Sequence, residues 1–179
     1  MANLLKLPAQ SSKGAVHVVV ETPRGSASKL EYDPELQVFT LSKPLILGLT
    51  YPYDWGFAPS TRGEDGDPLD VLVLHDAATA PGLVLKCNVI GVLEVLQSKK
   101  AKKGIRNDRL LAVPRESHRE QAHRDARDLP KQLRKEIEKF FIATDELDDK
   151  ELAFLGWKGP KAGARLIAHG AKAFRGAHG

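Results

Sequence analysis

The pattern of hydrophobic and polar positions predicts β-strands in the first two thirds of the chain and helices after them. Residues 16–21 (VHVVVE) are rich in β-branched side chains, which favour strands. Residues 29–32 and 37–41 are also typical of strands, and the turn-forming sequence DPE at 33–35 lies between them. This arrangement predicts a β-hairpin.

Three further segments predict strands. Residues 71–74 (VLVL) are all apolar, as in a barrel strand that is buried on both faces. Residues 83–96 predict one bent strand or two, with an interruption near Asn88 and Gly91. Residues 110–113 (LLAV) are the last clear strand.

Helical periodicity occurs late in the sequence. Apolar residues from Leu133 to Phe141 recur at helical spacing, and Asp128 is a candidate N-cap for that helix. A second helix, alanine-rich and basic on one face, is predicted over about 160–174. Strands followed by helices predict a small closed sheet with helices packed outside it.

Length and composition fit one domain over residues 1–179. Apolar residues make up 42% of the chain and charged residues 28%, which is ordinary for a globular protein. No apolar run reaches the roughly 20 residues that span a bilayer, and no secretion signal is recognisable, so we expect no membrane association and a cytoplasmic location. The single cysteine, Cys87, excludes an internal disulfide, and its strand-like surroundings predict a core thiol.

The formal net charge of +4 raises the question of nucleic-acid binding. Much of the excess lies at 99–103 and 158–175, whereas acidic residues concentrate at 64–70 and 145–151. A nucleic-acid-binding barrel usually presents stacking aromatic side chains beside basic ones. Aromatic content is only 6%, and 98–106 contains no aromatic residue. We therefore expect a small anionic partner rather than a nucleic acid.

The segment most suggestive of chemistry is 64–70 (EDGDPLD), directly before the apolar strand. Asp65, Asp67 and Asp70 crowd three carboxylates together, which is unfavourable unless cations neutralise them. Side chains two residues apart share one side of an extended segment, so Asp65 and Asp67 are expected to converge. Such oxygen ligands suit Mg²⁺, or Mn²⁺, better than zinc. The alternative interpretation is an acidic surface turn.

Two neighbouring motifs, YPYDWGFAP at 51–59 and DGDPLD at 65–70, resemble the signature region of the soluble (family I) inorganic pyrophosphatases. The similarity includes VVVETP at 18–23 and KLEYD at 29–33, and it covers roughly 16–141 in the family's order. The resemblance implies an α+β, mainly β fold: a small, closed, OB-like β-barrel of about five strands with two or so helices packed outside. It also implies a homo-oligomer, hexameric in bacterial relatives.

By the same resemblance, the chain would be an inorganic diphosphatase that hydrolyses pyrophosphate to two phosphates with Mg²⁺ and a metal-activated water. Asp67 would orient or deprotonate that water, and Lys29 would pair with a phosphate. Asp65 and Asp70 would be metal ligands, and Glu21 and Glu31 would hold metal-bound waters. Such an arrangement suits phosphoryl transfer, which depends on positioning and on neutralising charge.

Several substrate-binding positions depart from the family's pattern. Lys43 stands where the family has a phosphate-binding arginine, Trp55 where it has a tyrosine, and Arg109 where it has a lysine. Lysine keeps the charge but loses bidentate geometry, and an indole donates a hydrogen bond but accepts none. The substrate-binding side chains predicted from the resemblance are Lys29, Lys43, Trp55 and Arg109.

Other departures remove favourable charge from the site. Gln97 and Asn107 occupy the positions of two metal-binding aspartates, and Thr144-Asp145 replaces a tyrosine–lysine pair. A one-residue slip of the alignment would make Asp108 the metal ligand instead of Asn107. Lysines 99, 100, 102 and 103 are candidates to replace lost phosphate contacts.

These departures leave three functions open. The first is pyrophosphate hydrolysis, slow or restricted. The second is hydrolysis of another phosphoanhydride or of a phosphate ester. The third is binding of a ligand or partner without catalysis. Gln97, Asn107, Thr144 and Asp145 are the residues on which the choice depends, because each of them alters the charge offered to a metal or a phosphate.

Overall fold

The computed structural model describes residues 3–77, 79–99, 103–118, 122–148 and 150–178. Two α-helices lie in this part of the chain, α1 (Lys131–Asp145) and α2 (Pro160–His178), and neither is long and apolar enough to cross a bilayer. The strands are β1 (Val16–Thr22), β2 (Ser28–Asp33), β3 (Val38–Pro44), β4 (Asp54–Ala58), β5 (Leu69–Val73), β6 (Val84–Lys99), β7 (Ile105–Arg106), β8 (Arg109–Pro114) and β9 (Lys150–Lys158).

Five of the strands close into a ring. β1 pairs with β4, β4 with β5, β5 with β8 and β8 with β6, and β6 returns to β1. All of these pairs are antiparallel except β5–β8, which is parallel. Closure leaves no exposed edge within the ring. The fold is therefore the predicted OB-like barrel with helices packed against it.

The apolar runs in β5 and β8 are buried because apolar clusters cover both of their faces. Val71 of β5 lies in a cluster that includes Ile167 of α2, and the next residue, Leu72, lies in a cluster that includes Ile137 of α1. Alternate side chains of a strand point to opposite faces, so one strand contributes to both clusters. Cys87 of β6 is fully buried in the first cluster, which confirms the predicted core thiol.

β6 is one long strand that joins the ring to the rest of the sheet. Its first half pairs with β1 and β8, and its second half pairs with β7 and β9. The predicted interruption is a register irregularity between Val89 and Gly91. A Cβ atom on Gly91 would lie 2.2 Å from the backbone oxygen of Lys158, so only glycine permits this close packing.

β2 and β3 form the predicted hairpin as a separate two-stranded sheet. Tyr32 attaches it to the barrel, because the ring of Tyr32 lies 5.4 Å from the ring of Phe39 within the hairpin and 6.4 Å from that of Phe57 on β4. The hairpin is thereby held beside the barrel and forms one wall of the cleft described below.

The expectation that 110–113 is the last strand is wrong, because β9 follows α1. Leu152 and Phe154 of β9, two residues apart as on one face of a strand, pack against the cluster that contains Leu72 and Ile137. The local signal is weak because Lys150 and Glu151 begin the strand and Gly156 interrupts it with a φ of 136°. Pairing with β6 over the length of β9, rather than local composition, makes this segment a strand.

The prediction that Asp128 caps the first helix is also wrong. Asp128 lies in a short 3-10 turn (Ala126–Asp128) whose cap is the side chain of Asp125. α1 begins after Pro130, which makes no side-chain capping bond. Proline suits a helix start because its φ is fixed and it has no N–H to satisfy.

Candidate active site

A cleft of about 570 Å³ opens between the β2–β3 hairpin, the loop before β5 and the end of α1. It brings together all of the site residues predicted from the sequence except Asp108. The polar residues that line it are Glu21, Lys29, Glu31, Lys43, Asp65, Asp67, Asp70, Gln97, Lys99, Asn107, Arg109, Thr144, Asp145 and Lys150.

The loop before β5 supplies the acidic wall. Gly66, with a φ of 96°, lets this loop turn between Asp65 and Asp67. The backbone N–H of Asp67 donates to Oδ1 of Asp65 (3.2 Å), and both side chains are exposed to the cleft. Asp70 lies deeper, on β5, where burial raises the pKa of its carboxyl to about 6.

Glu21 and the hairpin extend the acidic wall. Oε1 of Glu21 accepts a hydrogen bond from the backbone N–H of Tyr32 (2.8 Å). Burial nevertheless raises the pKa of Glu21 to about 8. Glu31 forms an ion pair with Lys29 on the same strand. Burial opposes ionisation of Glu31, but the hydrogen bond and charge of Lys29 hold its pKa below the ordinary value.

The carboxylates do not form a ready-made metal cage. Among the described residues, no three carboxylate, imidazole or thiol groups lie close enough together to hold one ion. Asp65 and Asp67, which were predicted to converge, line the same wall of the cleft but belong to no such group of three ligands. A cation in this cleft would contact one or two protein carboxylates and take its other ligands from water or from a bound substrate.

Arg109 dominates the basic wall. Only 5% of the residue is exposed, and its guanidinium carbon lies 4.0 Å from the centre of the Phe141 ring and 5.4 Å from that of Trp55. These contacts are within cation–π range. Trp55 is itself 4% exposed, so it packs as a platform beneath Arg109 at the floor of the cleft.

Lys43 connects β3 to the end of α1. Its Nζ atom donates to the backbone oxygen of Thr144 (2.5 Å) and forms an ion pair with Asp148. Asp145 lies between the two basic groups: its Oδ1 is 3.5 Å from Nζ of Lys43, and its Oδ2 is 3.8 Å from a terminal nitrogen of Arg109. A carboxylate therefore shares the end of the cleft where cations are concentrated.

Gln97 and Asn107 form a neutral pair in the cleft, because the side-chain N–H of Asn107 donates to Oε1 of Gln97 (3.2 Å). Asp108, the alternative metal ligand, does not line this cleft. The carboxylate of Asp108 lies outside this cleft, where it accepts from the backbone N–H of Val95 (2.9 Å) and from Arg106. The backbone N–H of Asn107 donates to the backbone oxygen of Val95. In this extended segment the side chains of Asn107 and Asp108 therefore point to opposite sides.

Of the four loop lysines that were candidates for phosphate contacts, the structure shows one in the cleft lining. Lys99 lines the cleft, but Lys103 does not, and Lys100 and Lys102 lie outside the described residues. Sequence reasoning missed Lys150, which lines the cleft from β9. Once β9 is paired with β6, Lys150 lies opposite Lys99, so a correct strand assignment was the signal that could have found it.

His75 is structural. Its Nε2 atom lies 2.6 Å from Oδ2 of Asp54, and that carboxylate also accepts from the hydroxyl of Thr79 (2.7 Å). Both His75 and Asp54 are buried, away from the cleft lining. These hydrogen bonds tie the end of β5 to the start of β4.

Known proteins resemble this chain over nearly its whole length. The family model described as inorganic pyrophosphatase matches residues 18–175. An inorganic pyrophosphatase from Synechocystis is 35% identical over 173 residues, which cover 97% of this chain and 99% of that protein. The one from Thermus thermophilus is 38% identical over 166 residues, covering 90% and 92%. A crystal structure of the Thermus thermophilus inorganic pyrophosphatase superposes with a TM-score of 0.88 at 35% identity, covering 97% of this chain and 99% of that one.

Proposed function

Because this chain belongs to the inorganic pyrophosphatase family, we propose that it hydrolyses inorganic pyrophosphate to two phosphates in the presence of Mg²⁺. The observation that carries the proposal is the division of one cleft into an acidic wall and a basic wall. Carboxylates attract the cations that accompany a polyphosphate, and lysine and arginine bind its oxygens directly. A cleft with both suits a small, highly charged anion.

Mg²⁺ fits the oxygen donors that the acidic wall offers. Glu21, Asp65 and Asp70 are hard ligands of the type that Mg²⁺ prefers. Without a cation, burial raises the pKa of Glu21 to about 8 and that of Asp70 to about 6. A divalent ion would offset the cost of ionising them. Glu31, already paired with Lys29, would act in an outer layer, and Mn²⁺ would fit the same donors.

When bound, Mg²⁺ neutralises charge on pyrophosphate and so favours attack by a nucleophile. Asp67, which is exposed and lines the cleft, would accept a proton from the attacking water. The water oxygen bonds to one phosphorus, the bridging P–O bond breaks, and its electron pair leaves with the other phosphate. Lys29, Lys43 and Arg109 would hold phosphate oxygens in position for this step.

The neutral pair of Gln97 and Asn107 is expected to weaken cation binding. An amide oxygen can ligate Mg²⁺, but it contributes no charge to offset that of the ion. The amides of Gln97 and Asn107 also hydrogen-bond to each other. We therefore expect activity to require more Mg²⁺ than a site with carboxylates at both positions, which fits the slow or restricted hydrolysis predicted from the sequence.

We also make proposals on the domain content, assembly and location of the protein. The match of one family model over residues 18–175 supports a single domain across 1–179. We also propose a homo-oligomer that acts on a small anionic phosphate, without a nucleic-acid or membrane partner. The cytoplasmic location stays a prediction from the sequence.

The proposal is tested by measuring phosphate release from pyrophosphate across a Mg²⁺ titration, then with Mn²⁺. We expect metal-dependent release by the wild type and its loss in Asp67→Asn. Glu64→Gln changes a charge in the same loop but outside the cleft lining, so it should keep activity. Release equal to that of Asp67→Asn at every metal concentration would overturn the proposal and favour another phosphorylated substrate or a binding role.

A further inference from the structure

The further inference concerns Asp145, a carboxylate at the basic end of the cleft. Its side chain is 13% exposed and lines the cleft between Lys43 and Arg109. As the last residue of α1, it lies where the helix dipole disfavours negative charge. The local helix therefore offers no reason for an acidic side chain at this position.

Arg109 is poorly satisfied by the protein itself. The guanidinium is almost fully buried against Phe141, and within the described residues its Nε atom has no hydrogen-bond partner. Its separation from Asp145, 3.8 Å, exceeds the about 2.7–2.9 Å of a charge-assisted hydrogen bond. This buried cation lines the cleft, one of its donors has no acceptor, and its paired carboxylate lies beyond hydrogen-bond distance, so its charge remains available to an anion in the cleft.

Lys43 does not need Asp145 as a partner. The backbone oxygen of Thr144 and the carboxylate of Asp148 already accept from its Nζ atom, and Asp145 is the more distant carboxylate at 3.5 Å. A purely structural ion pair would be closer and would fill the donors of its partner. Asp145 instead places a negative charge near both cations, at separations longer than a charge-assisted hydrogen bond.

We propose that Asp145 determines substrate affinity by occupying the anion subsite of Lys43 and Arg109 as an internal competitor of phosphate. The inference rests on the proposed function, because it takes this cleft as the place where pyrophosphate binds. A phosphoryl group that enters the subsite meets a carboxylate as well as two cations, and the repulsion increases with the charge of that group. The site therefore binds pyrophosphate more weakly than its cations alone would allow.

The test is the affinity for imidodiphosphate, a pyrophosphate analogue with a bridging nitrogen, measured by calorimetry at fixed Mg²⁺. Asp145→Asn keeps the shape and removes the charge, so we expect the Kd to fall by about fivefold or more. The KM for pyrophosphate should fall in parallel, with a much smaller change in kcat. Asp145→Ser makes the same charge change with a smaller side chain and should shift the Kd in the same direction.

Asp148→Asn is the matched control, because it removes the other carboxylate paired with Lys43 but does not line the cleft. We expect it to leave the Kd close to that of the wild type. Unchanged or weaker analogue binding in folded Asp145→Asn and Asp145→Ser would overturn the inference, as would equal tightening in Asp148→Asn. Tighter analogue binding by the Asp145 variants without phosphate release by any protein would instead refute the proposed function and leave the inference standing.

Discussion

At the scale of single residues, the cleft contains two carboxyl groups, Glu21 and Asp70, whose pKa is raised by burial. The pKa of Glu21 rises from 4.5 to about 8 and that of Asp70 from 3.8 to about 6, in each case chiefly because burial disfavours the charged form. Among the described residues, neither side chain has a basic partner as close as the Lys29 that pairs with Glu31. The free-energy cost of ionising Glu21 and Asp70 applies to the metal-free protein, because a bound cation would favour the ionised forms.

We predict that the metal-free protein loses stability as the pH rises from about 5 to about 8. Over this interval the unfolded chain has released the proton of Glu21 whereas the folded chain retains it. Stability falls with rising pH wherever the unfolded state binds fewer protons. Thermal unfolding in EDTA should show the decline, and Glu21→Gln should reduce it because an amide does not titrate. Glu35→Gln, at an exposed turn position, should follow the wild type; an undiminished decline in Glu21→Gln would contradict the explanation.

At the scale of elements, the barrel depends on close approach of β4 to β1. Gly56 of β4 is paired with Val20 of β1, and a Cβ atom at Gly56 would lie 1.9 Å from the backbone oxygen of Val19. A methyl group there would collide with backbone rather than with a movable side chain. Ring closure leaves little freedom to relieve such a collision by moving one strand.

Gly56→Ala should therefore destabilise the protein by about 3 kcal/mol or more, as expected for severe overpacking. The measurement is urea unfolding followed by circular dichroism. Gly176→Ala is the matched control, because Gly176 lies in α2 with nothing near its Cβ position. It should be neutral or stabilise by up to about 1 kcal/mol, since alanine favours helices. Similar stability of the two variants would show that the contact between β1 and β4 is looser than described.

At the scale of the whole molecule, a barrel and a separate hairpin enclose the cleft between them. Lys43 ties the hairpin to the end of α1, so substrate affinity and the position of the hairpin depend on the same side chain. The segment that contains the hairpin also exposes large apolar side chains. Leu36 is 66% exposed, Leu41 63% and Leu47 fully exposed. Apolar surface of this kind often marks a contact with another chain.

We predict that the protein is a homo-oligomer in solution. Light scattering after size-exclusion chromatography should give a mass that is a multiple of the 19.6 kDa chain. Leu47→Ser, which removes the most exposed apolar side chain of this segment, should shift the mass toward the monomer if the segment forms the contact. A wild-type mass of 19.6 kDa at all concentrations tested would contradict the prediction.

The sequence alone determined the features that depend on neighbouring residues. The apolar run of β5 predicted a strand covered on both faces, and the helical spacing from Leu133 to Phe141 predicted α1. The motif that contains Asp65, Asp67 and Asp70 predicted an acidic site beside that strand. Each of these signals lies within a few residues, so it could be interpreted without knowing which strands pair.

Only the tertiary structure decided the features that depend on contacts between distant segments. β9 is a strand because it pairs with β6, and that pairing places Lys150 in the cleft. The sequence left open whether Asn107 or Asp108 is the residue at the metal position. Pairing with β6 decides which of the two lines the cleft: Asn107 does, and Asp108 lies outside it. Asp145 lies beside Lys43 although the two are 102 positions apart in the sequence. Such contacts depend on how the whole chain packs, and local sequence does not encode them separately.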